Sequence, residues 1–230
     1  MTDAIPAFTL ADQPVTRSDL AGATGPGHLI GCDLNEAELS KLDLTGWVFE
    51  RCTLRRTELS GARLELSRWL NCRGAFASFV GAGLEDAVFQ SSDFNNASFR
   101  RAVLSSASFK GCKLTGADFT DSKSLGIVFE ETLLVSAKLP SFSFKKAVLK
   151  GLDLSSADLS RCDFREAVFE GSSLREANIE AARFEGADLR GADLGGLPLL
   201  KELPRFRGAS ISTTQAAMIL KDLGLQVLPR

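Results

Sequence analysis

Tyrosine is absent from the 230 residues, and histidine occurs once, as His28. A lone imidazole excludes His-based acid/base pairs and any multi-histidine metal site. Net charge is also scarce: 27 Lys/Arg stand against 29 Asp/Glu, a formal −2. The strongly basic stripe of a nucleic-acid binder is therefore missing. No apolar run approaches the roughly 18 residues of a membrane span. The stretch from Met1 to Gln13 has no basic segment followed by an apolar one, so the expectation is a soluble cytoplasmic protein with no membrane partner and no direct nucleic-acid partner. Five cysteines are an odd count, which suits a reducing compartment better than a closed disulfide framework. What the chain does have is apolar content of 44%, enough for one solid core with small terminal additions.

The apolar residues recur with a period of five. Of the 33 positions taken every fifth residue from Leu34 to Leu194, 30 are Leu, Phe or Ile, the exceptions being Trp69, Gly74 and Ser124. Two places earlier, from Cys32 to Ala192, 28 of 33 are Ala, Cys, Ser or Thr; Leu42, Trp47, Ile127, Phe142 and Leu152 depart. A helix repeats every three or four residues and a plain strand every two, so neither accounts for five. A square coil of four five-residue sides does. Each side points one large and one small residue inward, and successive coils bond along the axis at parallel-strand spacing. The period predicts an all-β, right-handed quadrilateral parallel β-helix over 29–199, with a lead-in and loop over 1–28 and a cap and tail over 200–230.

The units Ser156-Ala157-Asp158-Leu159-Ser160, Gly186-Ala187-Asp188-Leu189-Arg190 and Gly191-Ala192-Asp193-Leu194-Gly195 resemble the A(D/N)LXX motif of the pentapeptide-repeat family. That resemblance implies the same solenoid fold and leaves function to whatever sites the shaft carries.

The register assigns most chemically suggestive residues to the interior. Cys32, Cys52, Cys72, Cys112 and Cys162 hold the small inward position and read as small hydrophobes rather than a metal or redox site. Phe49, Trp69, Phe89, Phe109, Phe129 and Phe169 share one side and are expected to stack inside. On that side Val48, Val88, Val128, Val148 and Val168 face outward, either as a β-branched ladder or as an apolar contact stripe. Glu130, Lys150, Glu170 and Arg190 alternate in sign and are expected to pair between coils. Gly22 to Gly27 has the outer glycine spacing of a phosphate loop, but His28 and Leu29 stand where Lys and Ser/Thr belong, so it reads as a connecting loop. Ser18-Asp19-Leu20 is a solitary unit out of register. No catalytic, cofactor-binding or metal site is expected, and the chain is read as not an enzyme.

Two stretches keep the register but weaken it, 66–76 and 121–144. In the second, Ser124 underfills a large position, Ile127 and Phe142 overfill small ones, and Pro140 removes a ladder donor. Either local compensation between coils or a functional surface or bend accounts for them. The tail changes character at Pro198. Ser212-Thr213-Thr214-Gln215 has capping-box spacing, Ala216, Ile219, Leu220 and Leu223 follow at helical intervals, and Gly224 supplies a stop. A short strand over 225–228 is expected next. Residues 1–200 carry 22 Lys/Arg against 27 Asp/Glu and residues 201–230 five against two, giving an acidic body and a basic tail. A solenoid end needs covering. Because Ala217 and Met218 make this helix apolar on more than one side, it is also expected to form a twofold dimer through Ala216, Ala217, Met218, Ile219, Leu220, Leu223, Leu225 and Val227.

The shaft, the apolar terminal helix and the closing Leu-Gly-Leu-Gln-Val run over 223–227 resemble the quinolone-resistance (Qnr and MfpA) branch of the family, and the unbroken register resembles its loopless type. The branch implies dimeric, DNA-like rods that protect DNA gyrase and topoisomerase IV from poisons such as fluoroquinolones or natural products. A phosphate surrogate should concentrate acid, which points to Asp33, Asp93, Asp153 and Asp193 on one side and Glu38, Glu58, Asp118 and Asp158 on the next. The competing function is a non-enzymatic interaction module, an effector or scaffold, without a topoisomerase partner.

Overall fold

In a computed structural model, which describes residues 7–199, 202–222 and 224–227, the five-residue period closes into a coil with four sides. One side carries the regular strands: β1 (Phe8–Ala11), β2 (Gly27–Ile30), β3 (Val48–Glu50), β4 (Arg68–Leu70), β5 (Val88–Gln90), β6 (Ser108–Lys110), β7 (Val128–Glu130), β8 (Val148–Lys150), β9 (Val168–Ser173) and β10 (Asp188–Asp193). They form a single ten-stranded sheet in sequence order. Every pairing is parallel, and from β2 to β9 partners lie 20 residues apart, as in Phe49 to Trp69. Short parallel bridges line the other three sides in the columns that start at Asp33, Glu38 and Asp43. The chain is a parallel β-helix, and the large residues of all four sides meet in one interior cluster.

Both ends of the coil reach past the strict register. β1 joins β2 with a 19-residue step, Leu10 beside Leu29, and Val15 and Leu20 are buried like the large residues that follow. A four-residue helix, α1 (Arg17–Leu20), makes part of that first turn. At the other end the 3₁₀ turn Leu203–Phe206 places the Phe206 ring 4.6 Å from Phe184, and Ser210 bridges Asp188. The helix α2 (Thr213–Asp222) then closes the end. Residues 225–227 form no strand. Gly224, at φ +80°, turns the chain so that Leu225 N–H returns to Leu220 O at 3.0 Å, while the last strand is bridged at its start by Ser210 and its Leu189 and Ala192 carbonyls are taken by the Gln215 side chain.

Three aromatic columns fill the shaft. Phe49, Trp69, Phe89, Phe109 and Phe129 stack with centroids 4.0 to 5.6 Å apart. Phe79, Phe99 and Phe119 stack at 4.8 Å and meet the first column edge-on. Phe144, Phe164, Phe184 and Phe206 continue toward the C-terminus. Offset and T-shaped pairs each add about 0.5–1.5 kcal/mol to the burial of the rings. The weakened stretch 66–76 is compensated inside this stack. A Cβ on Gly74 would lie 2.2 Å from the Phe94 ring, so Phe94 occupies the room left by the missing side chain. Trp47 at a small position is accommodated likewise, over Gly27 and against Phe8.

The small position is also a polar ladder. Cys52, Cys72, Ser92, Cys112, Thr132 and Ser172 each donate to the carbonyl 23 residues earlier, from Leu29 to Leu149, at 2.9 to 3.4 Å. Burial pushes the Cys112 thiol up to about 11 and the Cys162 thiol up to about 12. All five cysteines are free and buried.

The second weakened stretch behaves differently. The amides of Leu104, Ser106, Lys123 and Val128 bond to carbonyls of neighbouring coils, and so do those of Phe144, Lys146, Asp163 and Val168. Between these two sets, the equivalent bonds of Ser124, Gly126, Ser143 and Val148 are missing among the described residues. β7 and β8 keep only the Glu130 to Lys150 pair. Phe142 and Ile127 are buried in places that hold Ala, Ser or Cys in the adjoining coils. The interrupted ladder coincides with this extra bulk and forms a seam across two neighbouring sides, the strand side and the column that starts at Asp43.

Candidate interaction surfaces: the acidic columns, the charged edge and the capped end

The acidic residues singled out in the sequence occupy the outward position just before the large residue. There the aspartate serves the fold first. Asp33, Asp93, Asp118, Asp153, Asp158 and Asp193 each accept from the backbone N–H two residues on, at 2.9 to 3.1 Å. This local bond is the physical content of the motif's Asp/Asn position.

The column from Asp33 runs Asp33, Thr53, Arg73, Asp93, Lys113, Leu133, Asp153, Ser173. The next runs Glu38, Glu58, Ser78, Ser98, Asp118, Lys138, Asp158, Asn178. Of the eight residues, only Glu38 and Glu58 become direct neighbours. Asp193 meets Arg175 at 2.9 Å and Asp118 meets Lys138 at 3.5 Å. Partial burial pushes the Asp118 carboxyl up, but the Thr120 hydrogen bonds and Lys138 outweigh it and hold the group below its ordinary value. Acid is therefore spread along the rod and interrupted by cations.

On the strand side, Glu130 lies between Lys110 at 3.1 Å and Lys150 at 3.5 Å. Arg190 turns instead to Asp188 within its own coil at 2.6 Å, and its side-chain hydrogen bond holds the Asp188 carboxyl down at about 2. Among the described residues no group of three His, Cys, Asp or Glu is placed to hold a metal ion. No described helix is long and apolar enough to cross a membrane.

At the C-terminal end, Gln215 joins cap to shaft. Its Oε1 accepts from Ser212 N–H at 2.6 Å, Ser212 Oγ accepts from Gln215 N–H at 3.2 Å, and Gln215 Nε2 donates to Leu189 O and Ala192 O at 2.8 and 2.7 Å. The capping box thus also terminates the last coil. Ala216, Ala217 and Ile219 are half-buried, whereas Met218, Leu220, Leu225 and Val227 are exposed; Leu223 lies outside the described residues. Beneath α2 an apolar cavity of about 220 Å³ is lined by Leu189, Leu194, Phe206, Ile211 and Ile219 among others.

A model of pentapeptide repeats matches the sequence in eight copies, over residues 32–68, 82–121, 128–165 and 153–196. The chain belongs to the pentapeptide-repeat family. No curated protein matches this family member. Among solved structures it is similar to full-length QnrB1, a plasmid-mediated fluoroquinolone resistance protein, with a TM-score of 0.66 and 19% identity, covering 96% of this chain and 99% of that one. A trypsin-treated, singly substituted form of QnrB1 gives a TM-score of 0.61 at 22% identity, covering 96% and 98%. At such identities the likeness is one of fold.

Proposed function

We propose that this pentapeptide-repeat protein is a cytoplasmic, homodimeric rod that binds a type II topoisomerase, DNA gyrase or topoisomerase IV, in the manner of a DNA mimic and counters topoisomerase poisons. The observation that carries this reading is a likeness to QnrB1 that extends over nearly the whole of both chains. The exposed Met218, Leu220, Leu225 and Val227 at the capped end support association there, because a patch of this kind is stabilised by burial against a second copy. The acidic columns are the proposed topoisomerase-facing surface, with Glu38 and Glu58 as their densest point and Asp33, Asp93, Asp153, Asp158, Asp118 and Asp193 completing them. The register runs unbroken through 29–196, so protection here would use the shaft itself rather than inserted loops.

Titration of the protein into a gyrase supercoiling reaction, with and without a fluoroquinolone, tests this directly. Less drug-stabilised cleavage or slower supercoiling is expected. No change in either, across protein concentrations from substoichiometric to large excess, leaves the general interaction module as the surviving function.

A further inference from the structure

The seam between the coils containing residues 121–128 and 140–148 gathers three kinds of unsatisfied group. Backbone amides of Ser124, Gly126, Ser143 and Val148 lack the coil-to-coil bonds that their counterparts make one coil earlier and one coil later. The Ser122 Oγ is buried without a partner. Leu125 is 83% exposed, and Val128 and Val148 are more than half exposed. In the coils on either side, Ser105 and Arg165 take the place of Leu125. The Lys123 and Lys145 side chains flank these apolar groups, and their ammonium groups make neither an ion pair nor a hydrogen bond among the described residues, while Lys146 reaches Glu166 at 3.6 Å.

The charge around the seam is set apart from the rest of the rod. Residues 100–150 carry nine Lys/Arg against four Asp/Glu, whereas residues 1–99 carry eight against 13 and residues 151–200 five against ten. A local excess of cations within an otherwise acidic shaft selects an anionic partner. Exposed aliphatic side chains select a partner with apolar groups of its own, which a phosphate backbone does not offer. Two consecutive interior coils whose amides lack their mutual bonds offer donors to the carbonyls of an extended backbone lying over the seam.

We propose that the seam is a docking site for an extended acidic segment of a partner protein, in which carboxylates alternate with aliphatic side chains. The carboxylates meet Lys123 and Lys145, the aliphatic groups cover Leu125, Val128 and Val148, and the segment's backbone satisfies the unbonded amides of the seam. This site is opposite in sign to the acidic columns and stands independently of the topoisomerase reading.

The probe is a fluorescently labelled peptide of alternating glutamate and leucine, with alternating lysine and leucine, glutamate alone, and a short DNA duplex as comparisons. Anisotropy should show saturable binding of the glutamate–leucine peptide, weakened by added salt. The double variant K123E/K145E and the single variant L125S should each weaken it by about tenfold or more. Both alter exposed side chains, and an unchanged urea midpoint establishes that they fold. Hydrogen exchange adds a local readout: the amides of Ser124, Gly126, Ser143 and Val148 should exchange far faster than those of Leu104, Ser106, Lys123 and Val128, and should slow when the peptide binds. Equal affinity for wild type and variants overturns the proposal. Preference for the lysine–leucine peptide or for DNA does so too, as does exchange at the seam as slow as in the neighbouring coil.

Discussion

Phe99 lies between Phe79 and Phe119, with ring centroids 4.8 Å away on both sides and planes within 4° of parallel. Its truncation in Phe99→Ala removes two stacks and opens a cavity that neighbouring coils cannot close. A loss of about 3–5 kcal/mol is expected, visible as a lower urea midpoint with unchanged slope. Gly74→Ala should also destabilise, by about 1–3 kcal/mol in thermal unfolding, because its Cβ would overlap the Phe94 ring. The thiols set a pH dependence. In the unfolded chain they ionise at about 8.5, but in the fold Cys112 and Cys162 hold their protons to about 11 and 12. Above the lower value the unfolded state binds fewer protons than the native one, so stability falls as pH rises through that window. Melting temperatures should decline more steeply from about pH 9 upward in the wild type than in C112A/C162A. The burial of these cysteines was legible from register alone, since Ala holds the same position elsewhere. Their partners were not: which carbonyl a thiol reaches depends on the rise from one coil to the next.

At the scale of the element, α2 and its capping box were readable from Ser212 and Gln215, because a cap is a local bond between residues three apart. The second use of Gln215, as donor to Leu189 O and Ala192 O, is a contact over more than 20 residues and left no local trace. Gln215→Ala removes both, and should release the helix from the shaft at a cost of about 1–3 kcal/mol. Faster exchange of the α2 amides, with the shaft amides unchanged, is the expected result. The coil ends held a signal that strict counting passes over. Leu10, Val15 and Leu20 are five apart, as are Phe206 and Ile211, with Ala209 two places before Ile211. They escape because the first coil takes 19 residues to reach its neighbour and the last takes 22. The seam was half visible. Ser124, Ile127, Pro140 and Phe142 break the pattern in the sequence, but so does Gly74, which Phe94 makes good. Only the packing distinguishes a defect that is filled from one that interrupts the ladder.

Across the whole molecule, ten parallel strands at ~4.8 Å make a shaft roughly 43 Å long, capped at one end by a helix with exposed apolar groups. If that end joins two copies, M218D/L225D should sediment as a monomer where the wild type is a dimer, with an unchanged far-ultraviolet circular dichroism spectrum, since both side chains are exposed, and with a melting temperature lowered by the loss of association. Charge alternates along the axis, acidic, basic, acidic, so binding to any charged partner should depend on salt and on which third of the rod is mutated. The sequence by itself determined the coil, the inward and outward faces, the buried cysteines and aromatics, and the helical cap, because each follows from a five-residue period or from a bond between near neighbours. Only the tertiary structure decided where the acid columns are broken by cations, how far the coil extends beyond its regular repeat, and that a seam coincides with two bulky residues. Those outcomes rest on what residues about 20 positions apart do to one another once the coils stack, and no local pattern carries that information.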